Sequence, residues 1–210
     1  MRLAPPPLSV LLILVLWKQA RPVAAAATDP RTDEALYRDY AAGDNRAFRV
    51  LLDRHGDAVY RFLTRQLGDP DTAADVTQEV FLKVIATAGE FRGDATFRTF
   101  LFQVARNAAV DAARSRSRRP DATPLREELA GSAADDDGRA FSGELCRALE
   151  AGLERLPPEQ REAFLLREVE DLTFPEIAAV QGVGAETARG RVLYAMKSLR
   201  RSLDGFGGLP

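Results

Sequence analysis

Asp75-Val76-Thr77-Gln78-Glu79-Val80-Phe81-Leu82-Lys83 is the stretch from which the rest of the chain is best read. Asp75, Gln78, Glu79 and Leu82 are spaced three and four apart, so in a helix they share one face. Val76, Val80 and Val84, joined by Phe81 and Ile85, fall on another face at helical spacing. The segment is therefore expected to be a helix with an apolar side for a core and a polar side carrying two acids and an amide. Alone, that polar side would be an ordinary solvated face. Downstream come an arginine-rich helical pattern, an acidic linker and then a helix-turn-helix pattern, and this order makes the polar side a docking surface in a chain that handles DNA.

The surrounding sequence is helical from Asp33 onward, with no sustained alternation that would argue for strands. Asp33 to Ala41 reads as a short helix, broken at Gly43-Asp44. Asp44 or Asn45 can cap the next helix, which carries Phe48, Leu51, Leu52, Val59, Phe62, Leu63 and Leu67, with a kink or break expected at His55-Gly56. Gly68-Asp69-Pro70-Asp71 is a turn, after which Asp71 or Thr72 can cap the quoted helix. A loop over Gly89 to Asp94 precedes a long helix from about Ala95 to Arg116. Farther on, Leu145, Leu149, Leu153 and Leu156 repeat at helical spacing up to Pro157-Pro158. Glu176-Ile177-Ala178-Ala179 form a short helix, Gly182-Val183-Gly184 a tight turn, and Ala185 to Leu203 a final basic helix. Short helix, glycine turn and longer basic helix is the helix-turn-helix layout.

Composition narrows the function classes. In 210 residues, 46% hydrophobic, Lys+Arg 29 nearly balance Asp+Glu 31. The balance hides an asymmetry. Arg92, Arg98, Arg106, Arg114, Arg116, Arg118 and Arg119 form one basic stretch, and Arg189, Arg191, Lys197, Arg200 and Arg201 form another. Asp121, Glu127, Glu128, Asp135, Asp136, Asp137 and Glu144 lie between them. Separated basic patches supply the sequence-independent part of nucleic-acid affinity. With one cysteine, Cys146, and one histidine, His55, the chain cannot form an internal disulfide or a Cys/His zinc site. No nucleophile and base cluster supports an enzyme, and no cofactor, metal or small-molecule substrate is expected.

The ordered features from Ala35 to Leu203 resemble an RNA polymerase sigma factor of the extracytoplasmic-function group in the sigma-70 family. Three stretches carry the resemblance: Asp75-x-x-Gln78-Glu79-Val80-Phe81; Phe91-Arg92-Gly93-Asp94-Ala95-Thr96-Phe97-Arg98-Thr99-Phe100-Leu101 with Ala105-Arg106-Asn107; and Glu176-Ile177-Ala178 with Thr187-Ala188-Arg189-Gly190-Arg191. The resemblance implies an all-α fold of two small helical domains, a region 2 bundle over residues 31–118 and a region 4 helix-turn-helix over 144–204. A flexible acidic linker over 119–143 joins them, and a tail spans 205–210.

It implies core RNA polymerase as a partner, docked through Asp75, Gln78, Glu79 and Leu82, with charge-assisted bonds from the carboxylates. It implies promoter DNA with a melted segment as a second partner, recognised at a proximal (minus-ten) and a distal (minus-thirty-five) element. Proximal-element residues would be Phe97, Arg98, Gln103, Asn107 and Arg114. Phe97 is a candidate to stack on a flipped base, although Phe97, Leu101 and Val104 also make a core stripe. Distal-element residues would be Glu186, Thr187, Arg189 and Arg191. Many relatives are held inactive by an anti-sigma factor, so one is expected here too. The alternative is a helix-turn-helix regulator acting without polymerase, which leaves the Asp75 helix and the Phe91–Asn107 stretch unexplained.

Four positions depart from the family's pattern: Gly184 where a Ser-like cap is common, Ala188 in place of a larger aliphatic residue, Gly190 where serine is usual, and Tyr194 where arginine is frequent. The first residues conflict with a cytoplasmic DNA-binding protein. Arg2, the apolar run Leu8 to Trp17 and Ala24 to Ala27 resemble a secretory signal, which raises a second rival, an exported helical protein. The arginine-rich helices argue against export. The expectation is a cytoplasmic protein whose segment 1–27 reflects a start placed too far upstream, with Val10, Val15 or Val23 as alternative start positions; residues 1–30 are set aside from the fold.

Overall fold

In the computed structural model, residues 29–91, 93–117 and 137–203 are described. The expected linker and tail fall largely, and the signal-like segment almost entirely, outside them. The described residues form eight α-helices and no strand: α1 Asp33–Ala41, α2 Asn45–Leu67, α3 Pro70–Ala86, α4 Phe97–Ser117, α5 Asp137–Glu154, α6 Pro158–Phe164, α7 Phe174–Gln181 and α8 Ala185–Leu203. A short 3-10 turn, Ala88–Glu90, follows α3, and a π-helical turn, Leu165–Val169, extends α6. Packing divides them into two units. One holds α1 to α4 together with residues 172–188, and the other holds residues 137–171 with 189–203.

In the first unit the apolar stripes close into a bundle. Leu36 and Tyr37 of α1, Leu51, Val59, Phe62 and Leu63 of α2, Val76, Val80, Phe81 and Val84 of α3, and Phe97, Leu101 and Phe102 of α4 are all buried. The helix ends follow local chemistry. Thr32 and Asp44 cap α1 and α2 with their side chains, and Gly68, in the left-handed region at φ 68°, ends α2. The cap of α3 is Asp69, with Pro70 in the first turn, not Asp71 or Thr72. Proline lacks the N–H that the first turn leaves unbonded, so it starts the helix one step earlier.

Helix α2 also runs unbroken through His55-Gly56, where a kink was expected. A glycine in a helix costs only about 1 kcal/mol, which the buried stripe on both sides outweighs. His55 is tied down as well: its Nε2 donates to Asp33 Oδ2 at 2.7 Å, and Arg54 Nη1 donates to Asp33 Oδ1 at 2.7 Å. Burial alone would raise the Asp33 pKa, but the hydrogen bonds from His55 and Arg54 outweigh it and hold the carboxyl below its ordinary value. A carboxyl with a depressed folded pKa stabilises the fold above its unfolded pKa and loses that contribution as pH falls through the folded one. Asp33→Asn should therefore melt below the wild type at neutral pH, and the gap should close below about pH 4. A gap that stays constant through acid would show that the charge is not the source.

The same unit holds α7, through the side chain of Glu176. Its Oε2 accepts from the Thr173 backbone N–H at 2.8 Å in a capping box, and its Oε1 accepts from the Thr96 and Thr99 hydroxyls at 3.3 and 3.4 Å. Gly182, at φ 64°, then ends α7 in the left-handed region that glycine tolerates. The Gly184 carbonyl accepts from the Ala188 N–H at 3.0 Å to begin α8.

In the second unit, Leu145, Leu149 and Leu153 of α5, Phe164, Leu165 and Leu166, and Val192, Ala195 and Leu199 of α8 are buried. Gly152 allows α5 to approach α8 closely, since a Cβ there would meet Leu199 Cδ2 at 3.0 Å. Arg161 Nε donates to the Leu153 carbonyl at 2.9 Å, closing the end of α5. Helix α5 starts at Asp137, so residues 137–143, expected as linker, are helical.

Candidate protein-docking and nucleic-acid interfaces

On α3, the core side takes Ala73, Val76, Val80, Phe81 and Val84 out of water. Helical spacing then forces Asp75, Gln78, Glu79 and Leu82 outward, and all four are exposed. Leu82 keeps 64% of its surface, and Ile85, one turn on, is also exposed. None of the Asp75, Gln78 or Glu79 side chains bonds to another described residue. The result is a ridge of two carboxylates and an amide beside bare leucine and isoleucine. Such a ridge can bond arginines and bury apolar surface at once, and its polar side chains bond no other described residue.

Helix α4 presents a second face. Gln103, Asn107 and Arg114 are exposed, with Val110 half-buried among them, and the spacing of four, three and four aligns them along the helix. Arg98 sits half-buried at the start of the helix, its guanidinium 5.9 Å from the Phe102 ring centre. Phe97 is not on this face. It is fully buried, with ring centres of Tyr37 at 4.9 Å, His55 at 5.7 Å and Phe100 at 6.4 Å. It cannot stack on a base without leaving the aromatic cluster, so the expectation that it captures one is corrected. The exposed residues just before it are Gly93, Asp94, Ala95 and Thr96. Arg116, expected on phosphates, instead pairs with Asp69 and donates to the Leu67 carbonyl at 3.3 Å.

Two positioning groups at this face were not singled out from the sequence. Glu34 Oε1 accepts from the Phe97 backbone N–H at 2.9 Å, so a side chain of α1 caps α4. The Tyr37 hydroxyl donates to the Val84 carbonyl at 2.6 Å, tying α1 to the end of α3. Both partners lie far apart in sequence, where no local pattern reports them.

Helix α8 carries Arg189, Arg191, Lys197, Arg200 and Arg201 against the single acid Glu186. Ala188, Val192, Ala195, Leu199 and Leu203 are buried. Glu186 and Thr187 are exposed, while Arg189 and Arg191 are half-buried. All four distal-element candidates therefore keep solvent access at the start of the helix that follows the tight turn.

Comparison with known proteins agrees with this layout. The family described as Sigma-70 region 2 matches residues 51–119, and that described as Sigma-70, region 4 matches residues 146–199. The ECF RNA polymerase sigma-E factor of Escherichia coli is 31% identical over 177 residues, covering 80% of this chain and 92% of that protein. The sigma-E factor of Haemophilus influenzae is 30% identical over 185 residues, covering 82% and 96%. The chain belongs to the extracytoplasmic-function sigma factors of the sigma-70 family.

The RNA polymerase sigma-H factor of Pseudomonas aeruginosa is 29% identical over 181 residues, covering 82% and 94%. Among solved structures, CnrH in complex with the cytosolic domain of CnrY has a TM-score of 0.61 at 28% identity, covering 82% of this chain and 97% of that one. As a sigma factor the protein binds core RNA polymerase and directs promoter-specific transcription initiation. A stand-alone helix-turn-helix regulator does not account for the region 2 match. Sigma factors are initiation factors without catalysis of their own. No helix among the described residues is long and apolar enough to cross a membrane.

Proposed function

We propose that the α3 ridge of Asp75, Gln78, Glu79 and Leu82 is the surface that grips the clamp helices of the large polymerase subunit. The observation that carries this is the ridge itself, exposed, its polar side chains bonded to no other described residue, and backed by a filled core. Carboxylates meeting arginines form charge-assisted bonds, the Gln78 amide adds direction, and Leu82 supplies area to bury.

Arg98, Gln103, Asn107 and Arg114 on α4 meet the proximal promoter element. Asn107 can offer both donor and acceptor to a base edge, and Arg114 holds phosphate. The exposed Gly93–Thr96 segment, not Phe97, receives the melted strand. Glu186, Thr187, Arg189 and Arg191 meet the distal element in the major groove. Two weak grips on one chain reinforce each other by effective concentration. The protein works in the cytoplasm, where its template is, and carries out no reaction itself. A protein inhibitor is the expected control partner; CnrH, whose structure this chain resembles, is bound by the cytosolic domain of CnrY.

The test is in vitro transcription from a promoter library with purified core enzyme, alongside co-purification. Factor-dependent transcripts and a stable complex with core support the reading. Operator binding without core association would favour a regulator, and neither activity would sink both readings.

A further inference from the structure

Thr99 is buried at a position where the helical pattern puts no core. Thr99, Gln103, Arg106 and Val110 are spaced four, three and four along α4, so they share a face. Gln103 is exposed and Arg106 and Val110 are half-buried, yet Thr99 keeps only 2% of its surface. The apolar stripe of Phe97, Leu101, Ala105 and Ala108 lies on another side of the helix. Thr99 is covered instead by α7, which packs on α4. Glu176 Oε1 accepts from the Thr99 hydroxyl at 3.4 Å and from the Thr96 hydroxyl at 3.3 Å.

The unit that holds this contact runs on to Ala188, so it includes Glu186 and Thr187 at the start of α8. Helix α7 is eight residues long, about 12 Å. Residues 182–184 join it to α8, and three residues reach about 10 Å at most. In the reading given above, α4 meets the proximal element and the start of α8 meets the distal one. Elements near minus ten and minus thirty-five lie about 25 base pairs apart, or about 85 Å along a straight duplex at about 3.4 Å per step. With α7 seated on α4, the start of α8 cannot reach that far.

We propose that the seat of α7 on α4 is an autoinhibitory latch, closed in the free chain and open when the factor spans a promoter. The Glu176 carboxylate closes it on the Thr96 and Thr99 hydroxyls. While closed, it covers the promoter-facing side of α4 at its first turn and keeps Glu186 and Thr187 from the distal element. Opening leaves α7 folded, because the capping box at Thr173 uses the other carboxylate oxygen, Oε2. This rests on the reading of α4 and α8 as the two promoter-facing helices.

The experiment uses the full chain carrying Cys146→Ser, with donor and acceptor dyes at Asp53→Cys on α2 and Ala179→Cys on α7, both exposed positions. Energy transfer is read in the free chain and in holoenzyme on a promoter that the wild type selects from a random library. Transfer should be high in the free chain and fall severalfold on the promoter. Thr99→Glu tests the latch itself. Its carboxylate would face that of Glu176. Because the Thr99 N–H donates to Thr96 Oγ1 at 3.2 Å, an acid three residues after Thr96 also completes a capping box that supports α4. Transfer in the free variant should drop to the promoter-bound level. Without core, the variant should bind a duplex carrying only the distal element about tenfold more tightly than the wild type, although its added negative charge alone would weaken binding. Thr99→Val removes the hydroxyl, adds no charge and keeps the shape, so it should move both readouts the same way by less. The proposal is overturned if transfer in the free wild type is low, if it stays high on the promoter, or if neither Thr99 variant changes transfer and duplex affinity. Those results leave core binding intact. A wild type that binds no core and selects no promoter instead removes the sigma-factor reading, and this one with it.

Discussion

Replacing Asp75, Gln78 and Glu79 together with alanine should abolish promoter-directed transcription and weaken core binding by more than about a hundredfold, equivalent to about 3 kcal/mol. Truncating one partner of a buried, hydrogen-bonded charge pair commonly costs about 2–5 kcal/mol, and two such losses with that of the neutral Gln78 amide are not additive, so a hundredfold is a floor. The fold should hold. The three side chains are exposed and bond to nothing else described, and surface changes of this kind shift stability by about 0.5 kcal/mol or less each. Alanine is also the best helix former. Melting should therefore change by only a few degrees while affinity collapses, with titration of labelled core as the readout. Leu82→Ala alone should weaken binding less and lower salt sensitivity little, because the leucine contributes area and no charge. A triple variant that binds core as tightly as the wild type would remove α3 from the interface.

The second large effect concerns Phe97. Phe97→Ala should destabilise the first unit by about 3–5 kcal/mol, the range for removing a buried phenylalanine. The ring is wholly enclosed and packs on Tyr37 at 4.9 Å. Transcription should fall because the bundle loosens, and lowering the temperature should restore part of it. Phe97→Leu separates packing from stacking. Leucine keeps most of the apolar volume, so stability should drop by roughly 1.5 kcal/mol and transcription should survive near wild-type level. If Phe97→Leu folds well but fails to open promoters, the ring meets a base after all.

These two cases mark what the sequence could and could not reveal. The α3 ridge was legible because one period sorts its residues: valines at helical spacing must go in, and what remains must come out. Phe97 satisfied two patterns at once, a loop-edge aromatic and a helical core stripe, and only the packed ring of Tyr37, His55 and Phe100 decides between them. His55-Gly56 looked like a break because local signals were read without Asp33, which lies 22 residues away and holds the imidazole. The cap on α4 comes from Glu34 across a separation of 63 residues, which no window along the chain can report. Helix α5 began earlier than its composition suggested, since glycines at 138 and 143 weaken a helix without forbidding it.

The bond from Phe97 N–H to Glu34 also makes the start of α4 depend on residues far upstream of it. Val10, Val15 and Val23 all precede Thr32 and Glu34, so translation from any of them would still deliver the carboxylate that caps α4. A polypeptide beginning beyond Glu34 would leave the first turn of α4 without that acceptor, and if α4 faces the promoter as proposed, trimming those few residues would blunt DNA opening.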